Sequence, residues 1–270
     1  PPVRPNSLAA WIKCLDDVRL PVPQASHDRV CKAIRDNRSS LRDIAELMQS
    51  SPSLVLSVMR EANSHTHGSL AEPAENLEVA LNRLGLKRAE DLLARLPSVP
   101  MSEIPVAFRQ LVLVSRHASQ QANGLFGSRL ARLWQDIHWG SLLFLSPLWP
   151  MALAYPKLLD EWELRVIHKG ESARTVEQQL FGVRLLDLCL GLTEAWHLPI
   201  WVSQGYKLLL NEQRLLVKAL HIARVDDPLR QQQLLDAETN LRRWLNQPAN
   251  TVLLANGLAM SAQESWTCPH

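Results

Sequence analysis

Residues 134–145 read WQDIHWGSLLFL, with an acid and an imidazole, Asp136 and His138, two positions apart just before an apolar run. Buried acid and histidine side chains hold the metal in many hydrolases. On a helix, however, positions i and i+2 point about 200° apart, so these two cannot chelate one ion together. The expected state is a core His138, neutral and hydrogen-bonded, with Asp136 as a surface or capping residue. His65 and His67 in NSHTHG are a second candidate. On extended backbone the two imidazoles could share an ion, but a protein site needs a further ligand. The nearest acids, Glu61 and Glu72, are not placed for that, so an exposed polar turn is expected. No GxGxxG, GxxxxGK[ST], GxSxG or HExxH occurs, which removes the common nucleotide-binding, serine-hydrolase and zincin chemistries.

The elements that must position these residues are helical. Leu41, Ile44, Ala45 and Met48 recur at i, i+3, i+4 and i+7. Ser51 and Pro52 form a cap and first-position signal for a helix over 52–64, which ends at Asn63–Ser64. Leu77, Ala80, Leu81 and Leu84 make another apolar face, and Gly85 stands where a helix C-cap belongs. The spacing predicts later helices over about 105–124, through 134–145, over about 173–196 ending at Pro199, and over 199–210, 212–225 and 228–246. A last apolar segment follows Pro248. From Trp139 to Pro156 the chain runs 18 residues without a charge. Pro147, Pro150 and Pro156 break that run, so it reads as a buried helix followed by an apolar loop rather than a membrane span. With no alternating segment of useful length, the fold is all-α.

The bulk numbers agree. The chain has 270 residues, 46% hydrophobic, with 29 Lys+Arg against 27 Asp+Glu. Such balance gives no clear nucleic-acid surface. Cys14, Cys31, Cys189 and Cys268 make no CxxC pair and read as reduced core thiols of a cytosolic protein. Most of the nine tryptophans lie beyond residue 130, where packing between helices is their ordinary use. The N-terminus has no apolar signal core. The chain starts with Pro and its pattern runs nearly to its end, as expected of a piece of a longer parent.

The stretch LRDIAELMQSSPSLVLSVMREANSHTHGSLAEPAENLEVALNRLGLKRAEDLL resembles the HDOD family, the HD-related output domains of bacterial signalling proteins. It carries in order the Ser51–Pro52 step, the Asn63–Ser64 pair, Ala80–Leu81 and Leu84–Gly85. Later, HASQQA (117–122), Trp196-x-Leu198-Pro199 and LVKALHIAR (216–224) are similar to that family's second half. The resemblance spans about residues 15–225 and implies an HD-like multi-helix domain. Its parts would be an N-terminal helical subdomain (1–97), a linker (98–105), a degenerate HD-like subdomain (106–225) and a C-terminal helical extension (226–270).

Catalytic HD phosphohydrolases hold metal with a first His, an adjacent His-Asp pair and a late Asp. Carried over through Gly140, the resemblance puts His117 at the first position, Ile137 and His138 at the pair, and Arg224 at the last. No adjacent His-Asp exists in residues 101–225. An ion meeting Ile137 and Arg224 would lack ligands to offset its desolvation. The resemblance therefore implies a non-catalytic regulatory protein of the bacterial cytoplasm, with no metal and no cofactor. It would act through a protein partner or a small ligand, with Asn63, Ser64 and Gly85 as structural motif residues. The alternatives are a divergent HD-type metal-dependent phosphohydrolase and a nucleotide-sensing module.

Overall fold

Local signals begin and end most of the helices. In the computed structural model, which describes residues 4–36, 38–64, 72–126, 134–210 and 248–267, Ser7 caps α1 (Leu8–Asp16), its side chain accepting the Ala10 N–H. Trp11 and Leu15, one turn apart, are wholly buried. Helix α2 (Gln24–Arg35) leads to α3 (Leu41–Met48), which opens with a reciprocal capping box between Ser40 and Asp43. Helix α4 spans Pro52–Ser64, and most of its side chains are buried. Asn76 caps α5 (Leu77–Leu84) through the Val79 N–H at 2.9 Å. Gly85, at φ 78° and ψ 150°, turns the chain directly into α6 (Leu86–Arg95). Only glycine adopts that backbone without strain.

Two short strands, β1 (Val22–Pro23) and β2 (Ser98–Val99), pair in parallel. They tie the start of α2 to the segment after α6, which continues as a single 3-10 turn at Met101–Glu103. The second half is built on α7 (Val106–Phe126), α8 (Trp134–Leu143), α9 (Trp149–Ala154), α10 (Pro156–Glu163), α11 (Ala173–Leu180), α12 (Leu185–Ala195) and a helix over 200–210. The last described helix, Pro248–Thr267, packs along α7 and α8. Buried residues of both halves form one continuous core. Helix α1 crosses to the second half, packing on α12 and α9, where Trp11 Nε1 donates to the Phe181 carbonyl at 2.7 Å.

Three sequence expectations change. The helix read over 173–196 is two helices. Gly182, at φ 70°, breaks it at Phe181–Arg184, a turn also held by the Trp11 bond. The apolar loop after the buried helix is itself helical, as α9, entered by a 3-10 turn at Ser146–Leu148. Pro156 then starts α10 at a position where the missing N–H costs nothing. The stretch Gln135–Ala154 has the length and apolarity of a spanning helix, but 83% of its most apolar part is buried within the protein, as in a core helix. Among the described residues all other regular structure is helical. The helices expected over 212–225 and 228–246 lie outside them.

Candidate functional site

The residues of the Asn-Ser motif sit where the two halves meet. Asn63 is wholly buried at the end of α4. Its Nδ2 donates to the His197 carbonyl at 2.8 Å, and its Oδ1 accepts the Ala74 N–H at 2.8 Å. One amide thereby joins α4, the segment leading to α5 and the turn after α12. Nothing in the sequence distinguished this clamp from simple helix termination, because its partners lie 11 and 134 residues away. Ser64 does act at the helix end, its Oγ donating to the Glu61 carbonyl at 2.8 Å. His197 takes φ 49°, uncommon outside glycine.

Beside this clamp lies a cleft of about 500 Å³, lined among others by Asp16, Arg60, Ser64, Leu92, Trp196 and His197. Arg60 stacks over the Trp196 ring at 4.4 Å and pairs with Asp16 at 2.5 Å. Trp196 Nε1 donates to the same Asp16 carboxylate at 2.7 Å. The cleft thus has a polar wall in which Asp16 and Arg60 are paired with each other. That wall suits contact with a polar partner better than enclosure of an apolar molecule.

A second junction brings acids together. Glu75 Oε2 accepts the Ile200 N–H at 2.8 Å, at the start of the helix over 200–210. Burial pushes its carboxyl up to about 7, helped by the nearby charges of Asp136 and Glu72. Asp136 is half-buried, not a free surface group, and burial raises its carboxyl against a hydrogen bond from Asn76.

Of the positions carried over from the HD resemblance, His117 lies on α7, and Ile137 and His138 lie on α8. His117 is half-buried on α7, Ile137 is 2% exposed and His138 is 5% exposed on α8. Burial drives the His138 imidazole down to about 4, so it is neutral at ordinary pH. The expectation of a hydrogen-bonded core histidine is half met. The ring is neutral and buried, but neither nitrogen has a hydrogen bond of normal geometry. The Ser119 backbone exerts only a weaker opposing pull on its titration. The last helix covers this region. Asn256 Nδ2 donates to the Ser141 carbonyl at 3.2 Å, and Val252 lies 3.4 Å from where a Cβ on Gly140 would stand.

Arg224, His65 and His67 lie outside the described residues. Among the described residues no three His, Cys, Asp or Glu side chains come together as a metal site. The aliphatic Ile137 offers an ion no donor. An adjacent His-Asp pair does occur at His27–Asp28, but on α2, where the His27 ring bonds the Leu93 carbonyl at 2.9 Å and ties α2 to α6.

A family model described as HDOD domain matches residues 20–205. No curated protein matches the chain. Among solved structures, the chain is similar to a virulence factor from Campylobacter jejuni subsp. jejuni at 13% identity and a TM-score of 0.57, over 74% of this chain and 71% of that one. It is also similar to the MmoQ response regulator from Methylococcus capsulatus str. Bath at 17% identity and a TM-score of 0.57, over 94% of this chain and 90% of that one. At such identities the likeness is one of fold.

Proposed function

Because the chain belongs to the HDOD family, we propose that it is a non-catalytic signal-transduction protein of the bacterial cytoplasm, acting by binding a protein partner or a small ligand. The observation that carries this reading is the packing at the HD positions. Ile137 and a neutral His138 are buried in the core under the last helix, where a hydrolase would need open, ligated metal. A solved relative in fold that is named a response regulator is in keeping with a signalling role. The cleft at Arg60, Ser64 and Trp196 is the binding face of this reading, since it lies where the halves meet and small shifts between them would reshape it.

The test is metal analysis of the purified protein together with a panel of phosphatase and phosphodiesterase substrates. No stoichiometric metal and no turnover are expected. Bound metal with turnover that disappears in His117→Ala would refute the proposal and favour the phosphohydrolase alternative.

A further inference from the structure

Buried polar atoms without a hydrogen bond are unevenly placed in this protein. Among the described residues they cluster on α7, α8 and the segment after it, and on the last helix at Thr251 and Asn256. They include Ser115 Oγ on α7, Ser141 Oγ on α8, and Thr251 Oγ1 and Asn256 Oδ1 on the last helix. Ser115, Ser141 and Thr251 are at most 1% exposed. These three helices pack on one another. By contrast, the N-terminal helices place their buried polar side chains well. Ser53 Oγ donates to the Pro21 carbonyl at 2.8 Å, and Asn63 uses both ends of its amide. Unmade hydrogen bonds in a dry interface weaken it, while their apolar neighbours hold it together. On the last helix Val252, Ala255 and Ala259 supply that apolar hold, and Asn256 Nδ2 adds a polar one by donating to the Ser141 carbonyl at 3.2 Å.

We infer that the last helix is a reversible cover: Pro248–Thr267 lifts from α7 and α8 as a unit while the rest of the core stays folded, and exposes the face of α8 that carries Gly140 and Ser141. The helix lies beyond the residues that match the family model. Its seam is apolar enough to close and too poorly hydrogen-bonded to stay closed at all times. When it opens, unsatisfied donors and acceptors on α8 become available to water or to a partner's backbone, which is what an autoinhibitory contact requires.

Native-state hydrogen exchange on the full chain, read by mass spectrometry, tests this. Amides of the last helix are expected to exchange through an opening that leaves α4 and α5 protected. Thr251→Val removes a buried, unpartnered hydroxyl with little change of shape, and is expected to slow that exchange roughly fivefold to thirtyfold. Asn256→Ala loses the bond to Ser141 and is expected to speed it. If Thr251→Val leaves exchange unchanged or speeds it, the hydroxyl is already satisfied and the inference fails. It fails equally if the last helix exchanges only together with α4 and α5.

Discussion

Glu75 and His138 pull acid stability in opposite directions, and separating them tests the account of both. Glu75 titrates at about 7 in the folded protein and near 4.5 in an unfolded chain. Between those values the folded state holds a proton that the unfolded chain has released. Stability therefore falls as pH rises across that window. At 1.36 kcal/mol per pH unit the bound is ~3.4 kcal/mol, and solvent screening at a partly exposed group reduces it to roughly 1–2 kcal/mol. His138 works the other way. Its imidazole lies at about 4 when folded against 6.5 unfolded. Its contribution is present above pH 6.5 and is lost as pH falls through the window to about 4. In the unmodified protein the two effects overlap and largely offset one another. Glu75→Gln removes one of them while keeping an amide oxygen for the Ile200 N–H. Urea unfolding at a series of pH values from about 5 to 8 should show the variant gaining on the parent, by roughly 1–2 kcal/mol at the upper end. A difference that is constant across the series would show that Glu75 does not hold its proton in the folded state, and the argument from its burial would be wrong.

Three further outcomes follow from named contacts. His138→Gln should gain on the parent toward low pH, by roughly 2 kcal/mol between pH 6.5 and 4.5 in the same urea series, because the variant has no imidazole to charge on unfolding. Asn63→Ala leaves the Ala74 N–H buried without its acceptor and should cost ~2–3 kcal/mol, read as a fall in the urea midpoint. Asn63→Asp should not rescue it, since a carboxylate cannot donate to the His197 carbonyl. Gly85→Ala meets no atom within 4 Å, so any loss is backbone strain at φ 78°. That loss should be ~1–3 kcal/mol by thermal unfolding.

Much of the fold was legible because its signals are local. Pro52 and the Asn63–Ser64 pair bound α4 as the structure has it, and Gly85 marks a turn that needs positive φ. The division of 173–196 was not legible, because apolar residues continue through Phe181–Arg184 and part of what holds the turn, the bond from Trp11, comes from 170 residues away. Helix α10 was passed over although Pro156 is a starting signal, because the preceding uncharged run had been taken for a loop. The site is harder. Asn63 was visible as a motif residue, but its role depends on His197 and Ala74. Glu75 carried no signal at all, since what raises it is burial beside Asp136, 61 residues on in the chain. Identities along the sequence pointed to the HD positions. The cover over them comes from a helix that begins more than a hundred residues after Ile137.

The bond from Trp11 to Phe181 also sets a clock on biosynthesis. Its two ends are 170 residues apart, and Trp196 reaches Asp16 across 180. At ordinary elongation rates the ribosome needs roughly ten to forty seconds to make such a span. Helix α1 is therefore synthesised well before α9 and α12 and docks on them only after they emerge. During that interval the face bearing Trp11 and Leu15 has no native surface from α9 or α12 to cover it, so the nascent chain carries an exposed apolar face until those helices emerge.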